Sequence, residues 1–191
     1  MVGLAIDAIA VGDRAEITRR ASRESIADFV ESVGDHNPVH SDREYAAGTM
    51  FKEPIAPGIW TAGLVSAVIG TKLPGPGATY LSQSLKFLRP VRMGDLITAR
   101  VDVLEASPEK NRVRLRTVCA NQSGEEVLTG EALVMPAKAR SVYARREVGD
   151  TLAALTLMPW TWMMQTAAIW TALGFAALGV ASPLAPTPGD T

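Results

Sequence analysis

The chain has little cysteine, little net charge and, over one long stretch, no charge at all. Its single cysteine, Cys119, can close no internal disulfide and cannot build a cysteine-rich metal site. Nothing in the composition therefore demands an oxidising compartment or a structural metal. A formal net charge of -1 spreads no basic field over the surface, which argues against nucleic acid as a partner. The first residues, MVGLAIDAIAVGDRAEITRR, do not read as a secretory signal, because they meet Asp7 early and lack both a basic start and a long apolar run. The expected location is the cytoplasm. No internal repeat is visible.

What is present is a globular composition, with 47% hydrophobic and 20% charged residues. A length of 191 residues accommodates one domain with a sizeable core, with or without an appendage. Charge divides the chain near Asp150: none falls between Asp150 and Asp190, whereas the preceding part carries one every few positions.

The first part reads as an ordered set of elements. AEITRR is a short strand. Ser22 suits the N-cap of a helix whose apolar Ile26, Phe29, Val30 and Val33 follow helical spacing up to Gly34. An irregular segment then runs to Gly58. From Ile59 to Gly70 the residues are almost uncharged and rich in Ala, Leu, Val and Ile, which predicts a helix buried on most sides. LPGPG ends it. Four strand-like runs follow: TYLSQSLKFL, LITARVDVLE, RVRLRTVCA and EEVLTGEALVM. The third alternates, with Arg112, Arg114 and Arg116 on one face and Val113, Leu115, Thr117 and Cys119 on the other. One buried helix followed by an antiparallel meander predicts an α+β domain in which the sheet wraps the helix. The arginine row reads as a solvated face, with a docking surface for phosphates as the other reading. Cys119 reads as core. Exposed sheet edges point to a homodimer.

The chemistry-bearing stretch is Gly34-Asp35-His36-Asn37-Pro38-Val39-His40, followed by Pro54-Ile55-Ala56-Pro57-Gly58. A carboxylate and an imidazole five positions apart, with a proline fixing the turn between them, can converge on one small volume. Together they can hold and activate a water molecule. Adding that water across a double bond conjugated to a carbonyl also builds negative charge on the carbonyl oxygen, which needs a preorganised donor. Gly58 stands where the buried helix begins, and its free N–H there suits that oxyanion.

From about Ile26 to Pro136 the sequence resembles the MaoC-like hydratase domains. Its G-D-x-N-P-x-H loop, P-I-x-x-G helix start and L-P-G-x-G turn agree with that family in order and spacing. The resemblance implies a hot dog fold, an antiparallel sheet wrapped around a central helix. It implies a hydro-lyase that converts trans-2-enoyl-CoA to (R)-3-hydroxyacyl-CoA, with Asp35 and His40 activating water and the Gly58 amide as oxyanion donor. Asn37 would shape the loop, and Ser66, on the central helix, would support the pair. His36 falls at a variable position of the motif and reads as structural or exposed. Phe51, Trp60 and Leu64 are the expected walls of the acyl tunnel. No metal and no cofactor beyond the CoA of the substrate is implied. One departure stands out: many family members carry His before the oxyanion glycine, where this chain has Pro57. The classes to set against a hydratase are a hot dog acyl-CoA thioesterase and a non-catalytic acyl-binding or membrane adaptor.

The expected organisation is a domain over 1-140, a linker over 141-158, an apolar helix over 159-182 and a disordered tail over 183-191. The uncharged stretch beginning PWTWMMQTAAIW would reach about 33 Å from Trp160 as a helix, close to the roughly 30 Å core of a bilayer. Lys138, Arg140, Arg145 and Arg146 before it would keep the domain on the cytoplasmic side. Three readings stand side by side: a membrane span, adhesion to a hydrophobic surface such as a storage-polymer granule, and a helix packed on the domain.

Overall fold

The computed structural model describes residues 1-144; the expected apolar helix at 159-182 and the tail after it lie outside the described residues. In chain order the elements are β1 (Val2–Gly3), β2 (Arg14–Arg20), α1 (Arg23–Val33), α2 (Arg43–Gly48), α3 (Gly58–Thr71), β3 (Thr79–Phe87), β4 (Leu96–Ser107), β5 (Arg112–Ala120), β6 (Glu126–Met135) and β7 (Ser141–Val142).

Local signals place most of these. The Ser22 side chain accepts from the Ser25 amide and caps α1, and Gly34 closes it in the left-handed region at φ 72°. In β5 the alternation of charge and apolarity becomes an alternation of exposure, with Val113, Leu115 and Cys119 fully buried.

Five strands form one antiparallel sheet in the order β2-β4-β5-β6-β3. The helix α3 lies on it. Its Trp60, Val65, Val68 and Ile69 join Ile97, Ala99 and Val101 of β4 and Val113, Leu115 and Cys119 of β5 in one buried cluster. Each side chain of that size removed from water stabilises the fold by about 1.5–3 kcal/mol. The hot dog architecture is therefore present.

Two expectations need correction. The four later strands do not form a meander in chain order, because β3 pairs with β6 at the sheet edge rather than with β4. The connection from β3 to β4 instead runs beside the segment before α3, where the Ala56 amide donates to the Val91 carbonyl at 2.9 Å. The other concerns Ser141 and Val142, expected in a linker, which pair with Gly3 and Val2. No helix among the described residues is long and apolar enough to cross a membrane.

Of the arginine row on the outer face, Arg114 and Arg116 are occupied by carboxylates, and Arg112 donates to the Lys110 and Asn111 carbonyls. Arg114 bridges Glu105 at 3.0 Å and Glu131 at 3.2 Å, and Arg116 lies 3.7 Å from Glu126. Hydrogen bonding from Arg114 holds the Glu105 carboxyl below its usual range. A guanidinium already spent on two acids is a poor phosphate dock, and such exposed pairs add little stability.

Candidate active site

The loop after α1 is built by backbone closure. The amides of Gly34 and Asp35 both donate to the Val30 carbonyl, at 2.8 and 3.2 Å, which fixes where Asp35 leaves the helix. Asn37 is extended, as a residue before proline must be, and its side chain accepts from the Val39 amide at 3.2 Å. That bond caps a single 3-10 turn over Pro38–His40, and the turn carries the imidazole inward.

His40 is then clipped to the segment before α3. Its Nδ1 lies 2.9 Å from the Ile55 carbonyl oxygen, and the Ile55 amide donates to the Val39 carbonyl at 3.2 Å. A carbonyl has no proton to give, so Nδ1 carries the hydrogen and Nε2 of the neutral ring is left as an acceptor. Nε2 faces Asp35 Oδ2 at 3.5 Å. The imidazole is 9% exposed and the carboxylate 45% exposed, so the pair sits at a wall with one open side. Two acceptors at that separation do not bond each other well. They suit a water molecule that donates one O–H to each.

Gly58 stands three residues beyond Ile55. Its N–H is at the first turn of α3, where no carbonyl of the helix can accept it. Pro57 takes the N-cap position and brings no side-chain cap, so the helix end stays uncovered. A Cβ on Gly58 would lie 2.9 Å from Phe87 Cε1, so glycine is needed for the ring to approach this closely. A cavity of about 340 Å³ opens beside Gly58, with Phe51, Ile55, Phe87, Leu88 and Arg89 on its wall. His40 borders a separate cavity of about 300 Å³ under α1, together with His36, Pro54 and Met93.

Asp35, Asn37, His40 and Gly58 are thus carried by two segments bonded to each other. Phe51 is on the wall of the Gly58 cavity. Trp60 is buried in the core, Leu64 packs against it, and neither borders that cavity. Ser66 is on the exposed side of α3 and makes no hydrogen bond to Asp35 or His40 among the described residues. His36 is exposed, 3.7 Å from Glu31. Sequence reasoning missed Phe87, Arg89 and the Ile55 carbonyl. A backbone carbonyl leaves no mark in residue identity, and Phe87 comes to Gly58 only through the sheet. Among the described residues no group of three His, Cys, Asp or Glu is placed to hold a metal.

Comparison with known proteins bears on the family and the fold. A family profile described as "MaoC like domain" matches residues 9-125. A 3-hydroxybutyryl-CoA dehydratase of Methylorubrum extorquens is 45% identical over 72% of this chain and 82% of its own length. An (R)-specific enoyl-CoA hydratase of Rhodospirillum rubrum is 48% identical over 65% of this chain and 85% of its own. Among solved structures, the R-hydratase PhaJ1 of Pseudomonas aeruginosa superposes with a TM-score of 0.73 at 42% identity, covering 77% of this chain and 94% of that one.

Proposed function

The chain belongs to the MaoC-like domain family, and from that membership we propose that it is an (R)-specific enoyl-CoA hydratase. It is a hydro-lyase that adds water reversibly across the double bond of trans-2-enoyl-CoA to give (R)-3-hydroxyacyl-CoA. The observation that carries the site assignment is the Asp35–His40 pair, two acceptors 3.5 Å apart on a wall joined by hydrogen bonds to the segment that presents Gly58.

The residues divide the reaction between them. Water donates one O–H to His40 Nε2 and the other to Asp35 Oδ2. As its oxygen bonds to Cβ of the enoyl group, Nε2 takes a proton and the π electrons move to the thioester oxygen. The Gly58 N–H donates to that oxygen, with the positive end of α3 behind it. The enolate then collapses, Cα takes the proton from the imidazolium, and the ring returns to its neutral form. One water has been added and nothing else consumed, so the scheme uses two side chains and an amide, with CoA present only as part of the substrate. Dehydration is the same path reversed. Asn37 holds the turn that aims His40. Ser66 is assigned a supporting role by its position in the family pattern.

The working unit is read as a homodimer. The edge strand β3 exposes Tyr80, Leu81 and Phe87, and α3 exposes Ile59, Gly63, Ser66 and Gly70, none of them charged. A second copy would cover both features. Size-exclusion chromatography with light scattering measures this directly. The cytoplasm is the assigned location, with 159-182 attaching the enzyme to the inner face of a membrane or to a granule surface. A chain cut after Asp150 should then lose that attachment, and an unchanged cellular distribution would refute it.

Purified protein with crotonyl-CoA tests the activity. The enone absorbance should fall, and the product should be oxidised by an (R)-specific 3-hydroxyacyl-CoA dehydrogenase and not by an (S)-specific one. Thiol release in place of hydration would mean a thioesterase, and inertness would mean an acyl-binding adaptor.

A further inference from the structure

The described domain ends in a two-stranded ribbon that presents apolar side chains to water. Val2 and Gly3 pair with Val142 and Ser141. The Met1 nitrogen donates to the Tyr143 carbonyl at 2.8 Å, and the Tyr143 amide donates back to the Met1 carbonyl at 2.9 Å. Strands this short are marginal in water without support. Here the support comes from the LPGPG turn. The Leu4 amide donates to the Pro74 carbonyl at 2.9 Å, and the Ser141 hydroxyl donates to the Pro76 carbonyl at 3.2 Å. Gly3 lies so close to the Pro76 carbonyl that no Cβ would fit.

The remaining side chains of the ribbon are uncovered. Val142 is 75% exposed, Tyr143 53% and Met1 49%, and Val2, the cross-strand partner of Val142, is exposed as well. None of them belongs to the β3 edge or the α3 face assigned to a second copy. A tyrosine among exposed aliphatic side chains suits a boundary between apolar and wet surroundings.

Charge around the ribbon is mainly positive. Lys138 and Arg140, which lead into β7, are exposed and make no ion pair among the described residues. The Asn111 side-chain amide donates to the Pro136 carbonyl at 3.1 Å, which ties the tip of the β4–β5 hairpin to the same end and adds Lys110 and Arg112. Against these four cations stand Glu109 on that tip and Asp7 after β1. Arg145 and Arg146 come next in the sequence, and beyond Asp150 no charge occurs until Asp190.

Apolar side chains rimmed by cations match an anionic lipid surface, where the former enter the headgroup boundary and the latter meet phosphate. Continuity favours lipid over a protein partner, because only Arg145 to Asp150 separate the ribbon from the uncharged run. We propose that the ribbon docks the domain on an anionic phospholipid bilayer, with Val2, Val142 and Tyr143 in the headgroup layer and Lys138 and Arg140 on lipid phosphates. This rests on the reading that 159-182 attaches the enzyme to a surface, and adds a second contact made by the domain itself.

A dye sensitive to its surroundings tests it in the full-length protein. Val142→Cys places the dye on the ribbon, and Ser123→Cys places it on the β5–β6 turn at the other end of the sheet. Cys119 is buried, so the introduced thiol takes the label. The vesicles are phosphatidylcholine alone or phosphatidylcholine with phosphatidylglycerol, and flotation measures total binding. With the anionic vesicles the dye at 142 should shift to the blue and be quenched by spin-labelled lipid, while the dye at 123 stays in water. Lys138→Glu with Arg140→Glu should raise the lipid concentration needed for that response at least about tenfold, and high salt should act in the same direction. If the protein floats while the dye at 142 stays in water, or answers neutral and anionic lipid alike, the proposal falls and attachment through 159-182 stands. A dye at 142 already shielded without lipid also overturns it, since the chain or a second copy then covers the ribbon. If the protein floats with neither vesicle, attachment to a bilayer falls with it.

Discussion

His40 and Ile55 hold one another's segments: the imidazole Nδ1 lies 2.9 Å from the Ile55 carbonyl oxygen, and the Ile55 amide bonds back to Val39 beside the histidine. The ring is thereby fixed in the tautomer that leaves Nε2 free for water. An asparagine at this position can place its amide nitrogen near that of Nδ1, yet it offers no base where Nε2 stood. His40→Asn should keep nearly all of the stability, whereas His40→Ala should lose about 1–2 kcal/mol with the hydrogen bond. Both should lower kcat at least about 100-fold. Denaturant unfolding and steady-state rates together separate orientation from chemistry.

Gly58 faces a different constraint. A methyl group there would press on the Phe87 ring at 2.9 Å, and the ring or the helix start must shift. Gly58→Ala should lower kcat about 10- to 100-fold while the protein stays folded by circular dichroism. Adding Phe87→Leu makes room and should recover any lost stability.

Asn37 acts through the turn it caps. Asn37→Ala removes the acceptor for the Val39 amide and should cost about 1 kcal/mol. Asn37→Asp keeps an acceptor and should restore the midpoint of thermal unfolding.

Much of this was legible in the chain, for identifiable reasons. The β5 alternation, the Ser22 and Gly34 caps and the uncharged run of α3 are local signals, and the elements formed where those signals stood. The short helix α2 was not expected. Its six residues are too few to show a periodicity, and its cap is the Asp42 side chain bonding the amides of Glu44 and Tyr45, inside what reads as a polar loop. Where β3 pairs is a non-local choice that no window of sequence contains. Trp60 stands two residues beyond Gly58 and is buried in the core cluster. A helix turns 100° per residue, which directs the indole into the core.

Cys119 predicts a pH dependence of stability. Burial pushes its thiol from about 9 up to about 12. The folded protein then holds a proton that the unfolded chain releases, so stability is full below about pH 9 and declines as pH rises towards 12. Tyr80, also raised to about 12 by burial, acts in the same direction from about 10. Cys119→Ala should flatten the part of the decline that begins near pH 9, as followed by thermal unfolding across that range. Alkylation of the native thiol should be slow and become rapid in urea.

The central claim is that Asp35 and His40 together activate the water that adds to an enoyl thioester. The most direct measurement follows the enone absorbance of crotonyl-CoA with the full-length protein, Asp35→Asn and His40→Ala, each first shown to be folded. The unaltered protein should hydrate the substrate, and each variant should fall at least about 100-fold in kcat. Hydration at near-normal rate by either folded variant would contradict the account.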